Sequence, residues 1–239
     1  MELKVNQQQI DRLYRFTREH FVVYFDLQTE LVDHLSNAIE NQWKENPTLA
    51  FEETLQKEFK KFGVFGFMDV VEQRQAALGK KYNLLIWKHF KEFFSIPKIL
   101  ITISLVFSMF YFFKYIFFYE LLKTGMIVWF LLLILALVYE NKKRKKRKKQ
   151  TGKTWMFEEI IHQYGSFSGL VAVPINAINI FSNSGASTPN DYVLFGFSFF
   201  LVALFLATYI VVKIIPCKAE EYLKQVYPEY AFFNYSVTK

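Results

Sequence analysis

A chain of 239 residues that is 52% hydrophobic and 19% aromatic, with 28 Phe, carries more apolar side chain than one soluble core of this size hides, and the excess lies after residue 95. Its formal charge of +7 is just as uneven: residues 1–96 hold 13 Lys/Arg against 14 Asp/Glu, so the surplus comes mostly from one basic run. A nucleic-acid-binding domain spreads such charge over a folded face, and that class is therefore disfavoured.

The one cysteine, Cys217, rules out an intrachain disulfide, and the opening MELKVNQQQI lacks the apolar core of a signal peptide. A first amphipathic helix is expected over 7–20, with Ile10, Leu13, Tyr14 and Thr17 on one face. The short apolar FVVYF at 21–25 is ambiguous, and Asp26 is placed to cap a second helix. In that helix Leu27, Leu31, Leu35, Ala38, Ile39 and Trp43 recur at three- and four-residue intervals, and Asn46-Pro47 ends it. A third helix over 51–62 turns Phe51, Leu55, Phe59 and Phe62 inward, with Gly63 as its left-handed cap. Residues 67–94 read as helix again, with Val70, Val71, Leu78, Tyr82, Leu85 and Phe93 available for packing. Pro97 then opens the apolar half.

Four stretches there approach the roughly 20 residues that cross a hydrocarbon layer: 97–118, 121–139, 160–182 and 192–214. Lys114 lies near the far end of the first, where a lysine can snorkel to the interface. The run Lys142, Lys143, Arg144, Lys145, Lys146, Arg147, Lys148 and Lys149 follows the second directly. Lys88, Lys91 and Lys98 flank the start of the first, Lys213 and Lys218 the end of the fourth, and SNSGASTPND between the third and fourth has no Lys or Arg. Because positive charge stays on the cytoplasmic side, both termini are expected there. The basic run is read as a topology anchor that attracts anionic lipid headgroups. It has no interleaved aromatic platform for nucleic acid.

The expected fold is all-α. It comprises a cytosolic helical module over 1–95 and a four-helix transmembrane bundle over 96–216, the latter including a cytoplasmic polybasic loop at 140–154. A cytoplasmic tail over 217–239 follows. Within the third span Gly165 and Gly169 permit close helix approach, and Pro174, Asn176 and Asn179 form a polar stretch that must face protein rather than lipid. It serves as interhelical glue with a kink or as a small polar pocket. TGKT at 151–154 lacks the upstream glycine of a phosphate-binding loop, since Arg147 stands there. Glu158, Glu159 and His162 share a helical face and are weak metal candidates, but no second Glu-x-x-His accompanies them in the spans. His20 and His89 have no evident ligand set, and no Asp, Glu or His falls in the apolar cores of the spans. No catalytic residue, cofactor or firm metal site is therefore expected.

The segment DLQTELVDHLSNAIENQWKENPTLAFEETLQKEFKKFG resembles the HAAS, or permease-prefix, module of bacterial membrane proteins. The resemblance covers about residues 26–80 and rests on Glu30, Asp33, His34 and Leu35, then Glu52, Glu53, Leu55, Phe62 and Gly63. It implies a signalling or regulatory adaptor in a bacterial inner membrane, with Asp33, His34, Leu35, Phe62 and Gly63 in a partner-binding module. The implied partner is a cytosolic protein, possible examples being PadR-like regulators, and homo-oligomers are compatible with it. The competing expectation is a transporter or permease subunit with its polar site on span three.

Overall fold

The computed structural model describes residues 3–115, 152–163 and 190–230. It also describes scattered positions from 124 to 145: 124–125, 127–129, 131–132, 134–135, 138–139, 141–142 and 145. Every regular element among the described residues is helical, and none is a strand. The chain divides into two compact units. One gathers Met1–Lys80, Gln150–Glu159 and Tyr227–Lys239, and the other gathers Lys81–Lys149 and Ile160–Val226.

The first unit begins with α1 (Gln7–Glu19), started by a capping box in which Asn6 and Gln9 exchange side-chain and backbone bonds of 2.9 Å. It turns Leu13 and Phe16 inward. A linker leads to α2 (Phe25–Glu45), whose stripe of Leu27, Leu31, Leu35, Ile39 and Trp43 is buried, as its spacing predicts. Helix α3 (Phe51–Lys60) adds buried Leu55, and Gly63 beyond it has the left-handed φ of +80° expected of the cap. The helix stops short of the expected residue 62. The centre of this unit is aromatic: Phe16, Phe59 and Phe67 meet edge to face at centroid distances of 4.9–6.2 Å.

Helix α4 (Met68–Glu92) buries Leu78 and Tyr82 but leaves Val70 and Val71 only half-buried. Helix α5 (Lys98–Tyr115) lies within the first expected span. The described residues from 124 to 145 are helical, and Ile127, Val128, Leu131, Leu132, Leu135 and Tyr139 among them are all exposed. After α6 (Met156–Gln163) comes α7 (Asp191–Tyr209), which continues through a π-helical turn, Ile210–Ile214, into α8 (Ile215–Cys217). Pro216 accounts for the widened turn: its ring would collide with the carbonyl one α-turn back and it has no N–H to give. Helix α9 (Ala219–Val226) follows.

Two described helical stretches are long and apolar enough to cross a membrane, Lys98–Tyr115 and Asp191–Cys217. Only 17% and 39% of their most apolar windows are buried, unlike the core helix of a soluble protein. They pack antiparallel, with Phe113 beside Leu194 and Leu201 and with Val106 beside Val202 and Leu206. Lys114, placed by its sequence position near the interface, pairs with Asp191 Oδ2 at 2.6 Å. The third expected span, from 164 on, lies outside the described residues.

Candidate functional site

The segment TGKTWMFEE follows the basic run, and in it Trp155, Met156 and Phe157 are buried to 4% exposure or less. They pack within the first unit, against the start of α2 and the start of the C-terminal segment. A helix start leaves its first N–H groups without partners, and here two helix starts satisfy each other. Phe25 N–H of α2 donates to the Thr154 carbonyl at 2.8 Å, and Met156 N–H of α6 donates to Asp26 Oδ1 at 3.1 Å. Asp26 was expected to cap its own helix. It lies inside the first turn of α2, whose N-cap Tyr24 makes no side-chain cap bond, and its carboxylate caps α6 instead.

Aromatic rings close around this exchange. Trp155 contacts Phe25 at 5.4 Å, Tyr227 at 4.9 Å and Tyr230 at 5.3 Å between centroids. Lys153, four residues beyond the basic run, places Nζ 3.8 Å from the Phe25 ring centroid. The Tyr227 hydroxyl accepts from Phe157 N–H at 3.3 Å and lies beside the Asp26 carboxylate. Asp26 Oδ2 is buried without a well-aligned hydrogen bond.

The electrostatics follow from that burial. Desolvation pushes the Asp26 carboxyl above the usual carboxylate range, with the Tyr227 hydroxyl, Met156 N–H and Arg74 charge only partly offsetting it. Desolvation likewise pushes the Tyr227 phenol well above its ordinary value, reinforced by the Asp26 charge. Burial lowers Lys153, against the opposing pull of Glu229. The arrangement is a joint that ties three distant stretches of sequence. It presents no nucleophile with an adjacent base.

Other expected sites fall as follows. Glu158 and Glu159 occupy the first turn of α6, where the helix dipole favours carboxylates. Among the described residues no group of three His, Cys, Asp or Glu is arranged to hold a metal, so Glu158, Glu159 and His162 form no such site. Asp33 and His34 are exposed, Leu35 is fully buried in the core, and the His34 ring meets the edge of Phe62 at 5.9 Å. The two halves of the quoted motif thus touch. Lys142 and Lys145 are exposed. Lys143, Arg144, Lys146, Arg147, Lys148 and Lys149, and likewise Gly165, Gly169, Pro174, Asn176 and Asn179, lie outside the described residues.

Two features have little sequence signal. Phe21 (φ +64°, 76% exposed), Val23, Val64 and Phe65 stand exposed in the linkers flanking the aromatic centre. In the second unit His89 is buried, with Nε2 2.6 Å from the Tyr222 hydroxyl and Nδ1 3.1 Å from Glu92 Oε1. Its partner lies 133 residues away, which no local pattern announces.

No protein-family model, no curated protein and no solved structure matches this chain.

Proposed function

We propose that this protein is a multi-pass integral membrane protein that works as a non-enzymatic signalling or regulatory adaptor in a bacterial inner membrane. Its N-terminal module binds a cytosolic protein partner, and the joint around Asp26 couples that module to segments entering and leaving the bilayer. The observation that carries this reading is the composition of the first unit. Residues before α5, residues between the two apolar stretches and residues after α7 all pack together there.

Packed segments must share one side of a bilayer. If α5 crosses, the chain must recross before Gly152, and the exposed apolar helical residues from 127 to 139 are suited to that return. If Asp191–Cys217 crosses, the chain must likewise cross between 164 and 190. Parity therefore favours four spans. The charge asymmetry supports the cytoplasm as the shared side. Partner binding is supported by the exposed large apolar residues of two linkers, Phe21 and Val23 in one and Val64 and Phe65 in the other. The resemblance to HAAS modules supports the same reading.

The test uses full-length protein carrying Cys217→Ser and single cysteines at Asp33, Lys145 or Ser184. An impermeant thiol reagent applied to intact cells should label only the Ser184 position. Labelling of Lys145→Cys from outside would end the topology. For the adaptor role, Phe21→Ser with Phe65→Ser should leave folding intact and abolish recovery of a cytosolic partner by the purified protein. Recovery of identical partners by wild type and variant would refute it.

A further inference from the structure

Within the second unit, the last turns of α4 carry an unusual outer face. Leu84 and Trp87, three residues apart and thus neighbours on one side, are 68% and 55% exposed. Lys81, Lys88 and Lys91 are exposed around them. Trp87 stacks on Phe90 at 5.8 Å, Lys91 Nζ lies 5.4 Å over the Trp87 ring, and Phe90 meets Phe94 at 5.2 Å. The other side of the helix is committed, because Tyr82 and His89 are buried and His89 is bonded to Tyr222. Helix α4 cannot roll to hide Leu84 and Trp87 without breaking that contact.

The depth of this face is set by its neighbours. Phe90 and Phe93 pack against Val106 of α5 and against Val202 and Leu206 of α7. The Thr102 hydroxyl donates to the Phe93 carbonyl at 2.9 Å. Val106 is eight residues beyond Lys98, about 12 Å along the helix. The end of α4 therefore runs beside the first turns of an apolar helix rather than away from it.

We propose that this face of α4, made by Lys81, Leu84, Trp87, Lys88, Lys91 and Phe94, lies on an anionic lipid surface. Leu84 and Trp87 enter the headgroup boundary, and the lysines pair with lipid phosphates. The proposal rests on the reading that α5 and α7 cross a bilayer. Charge complementarity selects the occupant: from Lys81 to Lys98 the only acid is Glu92, and it is engaged by His89 and Lys98. Exposed Trp among lysines is the composition of an interfacial helix. An acidic protein docking on this face is the competing reading, and aqueous access at Leu84 in vesicles with Ile103 deep is the outcome that favours it.

The experiment reconstitutes the full chain, with Cys217→Ser and single cysteines at Ile103, Leu84 or Gln73, into vesicles with and without phosphatidylglycerol. Each cysteine carries an environment-sensitive fluorophore, read with nitroxide lipids of different depth and an aqueous quencher. Expected are deep quenching at Ile103, headgroup-depth quenching with aqueous protection at Leu84, and full aqueous access at Gln73. Each of Lys88→Gln and Lys91→Gln should lower the preference for phosphatidylglycerol about fivefold, the equivalent of about 1 kcal/mol per basic residue at the surface. Aqueous access at Leu84 with Ile103 deep would overturn the lipid face alone. Aqueous access at Ile103 would remove the membrane reading with it. Protection at Leu84 that is indifferent to phosphatidylglycerol and to both lysines would overturn the anionic headgroup assignment.

Discussion

In the first unit Leu13, Leu35, Ile39 and Leu55 are fully buried, while in α5 Leu100, Ile101, Ile103, Leu105 and Phe107 stay 43–64% exposed. Small hydroxyl residues are buried in both regions: the first unit buries Thr17, Ser36 and Thr54, each bonded to a carbonyl three or four residues back. The α5–α7 pair buries Thr102, Ser198 and Thr208; Ser198 and Thr208 donate to a carbonyl one turn back in their own helix, while Thr102 shares its hydroxyl between the Phe93 carbonyl at 2.9 Å and that of Lys98 at 3.2 Å. What separates the two is the large apolar residues on the outside of α5, which suit a helix packing in lipid, where apolar burial brings no gain over lipid contact. On the proposed membrane reading, the same all-helical chemistry serves two solvents. The lesson is that hydrophobicity predicts burial only once the solvent is known.

The largest effect should come from making one substitution in both units. Leu35→Ala opens a cavity in a closed core and should cost about 2–5 kcal/mol. Leu105→Ala removes a side chain that already meets solvent and should cost no more than about 0.5 kcal/mol. Thermal unfolding of the full-length protein in detergent, followed by proteolysis at module and span sites, compares the two. Equal losses would mean that the outer face of α5 is packed against protein, and the contrast would dissolve.

The joint around Asp26 sharpens the comparison, because it places a carboxylate where the first unit excludes water. Asp26→Ala strands the Met156 N–H and should cost about 1–3 kcal/mol. Asp26→Asn keeps an acceptor there and removes the buried charge, so it should cost less than Ala or stabilise. The pH dependence follows from the raised carboxyl. The folded state holds the Asp26 proton more tightly than the unfolded chain. Its contribution is therefore complete below the ordinary carboxylate value and is lost as pH rises through the folded value. Denaturation of wild type and Asp26→Asn across the acidic range should show this fall only in wild type. A fall of the same size in both would assign it elsewhere.

Much of this organisation was legible in the residues. The α2 stripe, its stop at Asn46-Pro47, the left-handed Gly63 and the two apolar stretches each follow from local spacing or composition. What escaped was tertiary. Asp26 has the right chemistry for a cap, but sequence cannot say which helix start it serves, and it serves one 130 residues away. Lys114 has the position of a snorkelling lysine, yet its partner Asp191 lies 77 residues on. Trp155, Tyr227 and Tyr230 sit in segments too short to show periodicity, so their convergence on Phe25 left no pattern to read.

The smallest contrast is between two glycines in the turn after α3, where the first unit's aromatic centre meets its surface. Both have left-handed backbones, φ +80° at Gly63 and +55° at Gly66. A methyl group at Gly63 would meet nothing within 4 Å, so Gly63→Ala carries only the backbone penalty of about 1–2 kcal/mol. A methyl at Gly66 would stand 2.8 Å from Phe59 Cζ, and that ring is held by Phe16 and Phe67. Gly66→Ala should therefore cost more than Gly63→Ala, by the amount needed to displace the ring. Chemical denaturation of the two variants gives the order. The reverse order would mean that the Phe59 ring yields freely, and that the aromatic centre is less tightly packed than its edge-to-face contacts imply.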